Sequence, residues 1–258
     1  MSKNPILVFD FDGVIVDGIE EYWTSARKAL IKLLNENSTS ISLPDSTPPA
    51  FRELRPWVQH GWEMILLVAE LTRSNSQLIS KRSTMCSNYY KQKCNEALDY
   101  WEWSPIQLQN TLDNIRKESI SIDKTIWLKS YRAFPGIINR LNNFKSEGID
   151  IVVLTTKSVE FTAHLLNYLN IKTTLLFGHE SGAKTKVLME LSKKYIIKGF
   201  VEDRRATLET VKNNSKLSSI PCYLASWGYL KPNDTKNLPL DIHLLEKTTF
   251  ATPLANWS

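Results

Sequence analysis

The residues with the plainest capacity for chemistry are carboxylates at the end of an apolar run. Residues 6–9, Ile-Leu-Val-Phe, are few enough for a strand buried on both faces, and the run stops at Asp10 and Asp12. Two like charges in that position repel each other and lose hydration, so a site that keeps both usually holds a cation or runs acid/base chemistry. A carboxylate ionised at neutral pH is also a covalent nucleophile, and a hard cation such as Mg²⁺ suits carboxylate and phosphate oxygens together. Asp10 and Asp12 are two apart, so both side chains can lean to one side of a strand end and leave the backbone carbonyls available to a metal. Gly13 then lets the chain turn where a β-carbon would be crowded. A bare Asp-x-Asp, taken alone, reads as an acidic turn after a strand.

The other candidate residues end other strands. In open α/β sheets ligands bind beyond the carboxyl ends of the strands. The apolar run at 151–154 ends in Thr155-Thr156-Lys157, the run at 199–201 ends in Glu202-Asp203, and Lys184 opens a helical pattern after a third run. Hydroxyls and amides at a helix start bind phosphate, a lysine neutralises it, and carboxylates hold a metal that bridges phosphate to nucleophile. Each has a plain alternative: Thr-Thr as a helix cap, Lys184 as a solvated lysine, Glu-Asp as a surface turn. Their joint placement is what points to phosphoryl transfer.

The elements that must position these residues follow from periodicity. Apolar residues recur at helical spacing over 19–35, and a loop rich in Ser, Thr, Asn and Pro follows over 35–50. Helical patterns resume over 51–71, with Pro56 as the expected start, and over 76–100. Ser104-Pro105 reads as a cap and first turn opening a helix towards Lys117. Five of the eight tryptophans fall between Trp57 and Trp127, where their spacing fits a helical core better than a ligand platform. From Pro135 the rhythm changes to helices alternating with short, non-alternating strands, the last over 221–227. With residues 6–9 this predicts a Rossmann-like α/β core around a parallel five-stranded sheet, made from 1–18 and 134–258, with 19–133 inserted as a helical cap. Those helices are expected to close over the site and choose the leaving group. Lys81, Arg82, Lys91 and Lys93 could meet an anionic substrate, although such a cluster is more often a solvated face.

Composition narrows the classes. The chain has 258 residues, 42% hydrophobic and 23% charged, which fits a globular protein rather than a fibrous or disordered one. The formal net charge is +5, but the basic residues are scattered and no nucleic-acid module is present, so no nucleic-acid partner is expected. Three cysteines, Cys86, Cys94 and Cys222, fit neither a metal knuckle nor a disulfide framework. A reducing cytoplasm is the expected location. The first strand follows the N-terminus too closely for a signal peptide, and no apolar run reaches membrane-spanning length, so no membrane association is expected. His60, His164, His179 and His243 show no ligand spacing, and oligomeric state is not legible.

The string ILVFDFDGVIVDG, residues 6–18, closely resembles the first motif of the haloacid dehalogenase-like hydrolases, and FPGIINRLNNFKSEG resembles the helix that precedes the second. The resemblance covers essentially the whole chain. It implies that Asp10 is the nucleophile forming an aspartyl-phosphate, and that Asp12 protonates the leaving oxygen and then activates water. Thr155 and the Thr156 amide would hold phosphate, and Lys184 would pair with phosphate and Asp10, with Lys186 its rival for that role. Mg²⁺ would be held by Asp10, the Asp12 carbonyl and Asp203. The fourth motif departs from the common pattern: Glu202 stands before Asp203, with no later Asp, like the paired-acid variant in which adjacent acids serve one metal directly and through water. SWGYLKP, residues 226–232, resembles the loop after the last strand in phosphoglycolate-phosphatase-like members, or else is a packed aromatic turn. Dehalogenase and phosphonatase members lack an acid at the Asp12 position, so the implied function is Mg²⁺-dependent hydrolysis of a small phosphorylated metabolite. A phosphomutase, or a binding or regulatory protein on the same scaffold, are the alternatives.

Overall fold

The computed structural model describes residues 4–35 and 43–257. The chain divides into two compact units, Met1–Asp17 with Arg132–Ser258, and Gly18–Tyr131.

The first unit is built on strands β1 (Pro5–Phe9), β2 (Val16–Asp17), β3 (Arg132–Ala133), β4 (Asp150–Leu154), β5 (Leu175–Phe177), β6 (Ile196–Glu202), β7 (Cys222–Ala225) and β8 (Ile242–Leu245). The main sheet has the order β5-β4-β1-β6-β7-β8 and every pairing in it is parallel. The expected parallel sheet is there, with six strands among the described residues rather than five. The sequence reading missed β8 because Ile-His-Leu-Leu is a short edge strand with His243 and Leu244 exposed, so it lacks the continuous apolar run of a buried parallel strand. The antiparallel ribbon β2–β3, with Val16 opposite Ala133, was also not foreseen. Its segments are two residues long and far apart in sequence, so no local pattern announces it.

β1 lies between β4 and β6. The chain runs outward from β1 through β4 to β5, then returns to β6 on the other side and continues through β7 to β8. That reversal makes the carboxyl ends of β1, β4 and β6 the topological switch point, the place where ligands bind in such sheets. The strand is buried on both faces, with Ile6 and Val8 in one cluster alongside Leu188, Leu208 and Phe200. On the other face Phe9 packs on Phe144 and Phe250.

Register then aligns the polar ends. Ile6 pairs with Ile197 but Leu7 pairs with Gly199, so β6 carries one extra residue at Lys198. Beyond it Phe9 is level with Val201, and the Asp10 amide donates to the Val201 carbonyl at 2.9 Å. Asp10 and Glu202 are thereby brought side by side. A Cβ at Gly199 would meet the Tyr223 ring at 2.6 Å and Leu7 at 3.0 Å, so the irregularity is packed too closely for a larger residue.

The second unit is helical. The expected helix over 19–35 is present as Ile19–Asn35. Residues 36–42 of the expected 35–50 loop lie outside the described residues, and the loop ends earlier than expected because a helix, Pro49–Leu54, starts inside it. Pro48 is extended, and Pro49 sits in the first turn, where a missing N–H breaks no helical bond. Pro56, expected to open the next helix, instead lies in a 3₁₀ turn, Arg55–Trp57, and the α-helix resumes only at Glu63–Leu71. The single helix expected over 76–100 is broken into Gln77–Ser80, a 3₁₀ turn Arg82–Thr84, and Ser87–Trp101.

The Ser104-Pro105 start is as expected, with a capping box closed by Gln107. That helix runs past Lys117 to Lys129, kinked at Asp123, whose side chain accepts from the Ile126 amide at 3.0 Å and restarts the ladder. Trp23, Trp57 and Trp127 are buried, and Trp62, Trp101 and Trp103 pack against the unit's core. No described helix is long and apolar enough to cross a membrane.

Candidate active site

Asp10 follows the last residue of β1 and is buried. Its Oδ1 accepts the Phe11 amide at 2.7 Å and lies 3.0 Å from Lys184 Nζ. Lys184 is the first residue of helix Lys184–Lys194, and its ammonium also donates to Glu202 Oε2 at 2.6 Å. The other Glu202 oxygen accepts the Arg204 amide at 3.1 Å. Asp203 Oδ2 accepts the Tyr229 amide at 2.9 Å. Asp10, Glu202 and Asp203 are all buried, and each offers an oxygen within 4.8 Å of the others.

The backbone around Asp203 leaves space for nothing but glycine at two positions. Gly13 has φ +85°, and a Cβ there would fall 1.9 Å from Asp203 Oδ2. A Cβ at Gly228 would fall 2.3 Å from Asp203 Cβ and 2.6 Å from the Gly13 carbonyl. The loop after β7 closes this arrangement: Trp227 Nε1 donates to the Val14 carbonyl at 3.0 Å, and the Tyr229 hydroxyl donates to Asp17 Oδ1 at 2.6 Å. The stretch that reads as an aromatic turn in sequence therefore fixes the Asp203 carboxylate.

The electrostatics follow from crowding acids where water is scarce. Burial, and then the neighbouring Glu202 charge, push the Asp10 carboxyl up from 3.8 to about 7 against the pull of Lys184. Burial likewise raises Glu202, opposed by Lys184. Burial works against the Lys184 ammonium, but the charges of Asp10 and Glu202 together outweigh it and hold it above the ordinary lysine range. Three carboxylates with hard oxygen donors and a lysine shared between two of them leave negative charge that a divalent cation would neutralise. The donor set and the glycine-lined cradle fit such an ion.

The remaining expected residues form a second group. Thr155 follows the end of β4, its amide donates to the Phe177 carbonyl at 2.9 Å, and its hydroxyl oxygen accepts the Lys157 amide at 3.1 Å. Thr156 is exposed. Asp12 Oδ2 lies 3.5 Å from Lys157 Nζ, and Asp12 Oδ1 is buried with no hydrogen-bond partner among the described residues. Lys186, the rival lysine, is exposed, whereas Lys184 stands between the acids. From sequence Lys157 is a strand-end residue with no assigned part, and nothing in the sequence pairs Tyr229 with Asp17. Of the basic residues in the helical unit, Arg82 pairs with Glu53 and Lys93 with Glu96, as on a solvated face.

A parallel α/β sheet with acids, a hydroxyl and a lysine gathered at its carboxyl edge defines a hydrolase-type scaffold. The model of the haloacid dehalogenase-like hydrolases matches residues 5–206, and the chain belongs to that family. No curated protein matches it. Among solved structures it is similar to phosphatase Tt82 from Thermococcus thioreducens, at 12% identity over 89% of this chain and 94% of that one, with a TM-score of 0.55. It is also similar to a predicted phosphatase from Clostridium acetobutylicum, at 16% identity over 95% of both chains, with a TM-score of 0.54. A third, a predicted phosphoglycolate phosphatase from Haemophilus somnus, is 15% identical over 89% of this chain and 88% of that one, with a TM-score of 0.51. At these identities the likeness is one of fold. Hydrolases of this family generally use a divalent metal.

Proposed function

We propose that the protein is a Mg²⁺-dependent phosphatase that hydrolyses a small phosphorylated metabolite through an aspartyl-phosphate. The observation that carries this reading is the cluster of Asp10, Lys184, Glu202 and Asp203 at adjoining strand ends. Asp10 is the nucleophile: its carboxylate attacks phosphorus as the bond to the leaving oxygen breaks, and Asp12 gives that oxygen a proton. Asp12 then takes a proton from water, which attacks the phosphoryl group and returns Asp10 and inorganic phosphate. Lys184 balances charge on Asp10 and the transferring group, and Thr155 with the Thr156 amide holds the phosphoryl oxygens. With its acceptor side occupied by the Lys157 amide, the Thr155 hydroxyl has its proton to offer.

Asp10, Asp203, the Asp12 carbonyl and, directly or through water, Glu202 would hold the cation, which supplies charge neutralisation between nucleophile and phosphate. Both Glu202 oxygens already accept protein donors, which favours contact with the cation through water for Glu202. We assign selection of the leaving group to the inserted helical unit, residues 18–131.

The test is turnover of a panel of phosphorylated metabolites with Mg²⁺ and with excess chelator. Release of phosphate that requires the cation is expected; full activity in chelator, or none on any phosphate ester, defeats the proposal.

A further inference from the structure

We propose that Lys157 is a positioning residue for Asp12, fixing how its carboxylate is turned for work on the leaving group; the inference rests on the phosphatase reading above. Lys157 makes two contacts that bear on the reaction. Its backbone amide donates to the Thr155 hydroxyl oxygen at 3.1 Å, and its ammonium lies 3.5 Å from Asp12 Oδ2. One residue therefore orients both the hydroxyl assigned to phosphate and the acid assigned to the leaving oxygen.

The side chain is held where it can do this. Lys157 is 7% exposed, an unusual burial for lysine, and its long stem is fixed rather than free to sample solvent. Its carbonyl accepts the His179 amide at 3.1 Å. A Cβ at Gly178 would fall 2.7 Å from that carbonyl and 2.6 Å from the Val159 amide nitrogen, so the turn after β5 closes on the Lys157 backbone as tightly as glycine permits. A buried carboxylate oxygen without a donor is a liability in a finished structure, and among the described residues Asp12 Oδ1 has none. With Oδ2 drawn to its ammonium, Lys157 sets how the Asp12 carboxylate is turned.

The experiment compares wild type, Lys157→Met, Lys157→Arg, Asp12→Asn and the Asp12→Asn/Lys157→Met double variant on an alkyl phosphate and on nitrophenyl phosphate, with Mg²⁺ present. A misplaced acid is expected to lower kcat on the alkyl phosphate by about 10²-fold in Lys157→Met. Nitrophenolate leaves with little protonation, so the loss on that substrate is expected to be several-fold smaller, and KM should change little on either. Lys157→Arg should retain the wild-type ratio between the substrates, and the double variant should be no slower than Asp12→Asn.

Equal losses on both substrates, a wild-type ratio in Lys157→Met, or additive losses in the double variant would overturn the inference while leaving the phosphatase reading intact. If Lys157→Met does not fold, Lys157→Arg decides alone: a ratio unlike that of wild type counts against the inference. Failure of wild type to cleave any phosphate ester is the separate outcome that removes the parent reading, and this inference with it.

Discussion

Both units of the molecule bury acids, and they treat them in opposite ways. In the helical unit Glu21 is buried yet fully engaged. Its Oε1 accepts Ser25 Oγ at 2.6 Å, Arg116 Nε at 2.9 Å and Trp127 Nε1 at 3.3 Å, and its Oε2 accepts Arg116 Nη2 at 2.9 Å and Tyr131 OH at 2.8 Å. Glu63 accepts the Gln59 and His60 amides and the Tyr90 hydroxyl, and Glu70 accepts from Arg73, Ser76 and Trp101. In the sheet unit Asp10, Glu202 and Asp203 are equally buried but crowd one another, with Lys184 shared between two of them. A buried acid saturated with donors ties helices together, whereas buried acids that face each other are held for something that arrives later. Burial does not distinguish the two groups; the crowding of like charges does.

The sharpest way to break this comparison is Asp10→Asn. It deletes the charge of the proposed nucleophile with almost no change of volume, so turnover should fall on the order of 10⁴-fold or more while the circular dichroism spectrum is unchanged. A variant that keeps normal turnover, or that unfolds, would put Asp10 with the structural acids.

Glu21→Gln is the counterpart in the helical unit. It leaves the Arg116 guanidinium buried without its charge partner, which is expected to reduce stability by about 3–5 kcal/mol in denaturant titration. A change near zero would show that the Glu21 network is dispensable.

A smaller effect concerns pH in the metal-free protein. The Asp10 carboxyl, at about 7 when folded and 3.8 ordinarily, keeps its proton in the folded state over a window where the unfolded chain has released it. Its contribution to stability is therefore full below about pH 4 and is lost as pH rises towards 7. The thermal midpoint in chelator should decline across that window, and Asp10→Asn should flatten the decline; an unchanged slope in the variant would assign it to other groups.

The smallest effect is expected from Tyr229→Phe. It removes the hydroxyl bond to Asp17 but keeps the backbone amide on Asp203, so stability should fall by about 1 kcal/mol and turnover should change only a few-fold. A loss of turnover as deep as that of Asp10→Asn would mean that the loop does more than brace the carboxylate.

What the sequence determined by itself was local. The strand that leads into Asp10, the helix over 19–35, the Ser104 cap and Lys184 at the head of its helix all follow from periodicity, capping and turn chemistry within a few residues of each other. Where neighbours in space are remote in sequence, that information fails. The broken helices around Pro56 and over 77–101 and the edge strand β8 were not legible from local pattern. The site itself needed the fold. Only the extra residue in β6 brings Asp10 level with Glu202, and only the adjacency of β1 and β4 brings Lys157 to Asp12 across 145 residues of chain. Residue type says which groups can do chemistry, but the distance between a carboxylate and its ammonium is set by strand order and register, which are properties of the assembled sheet.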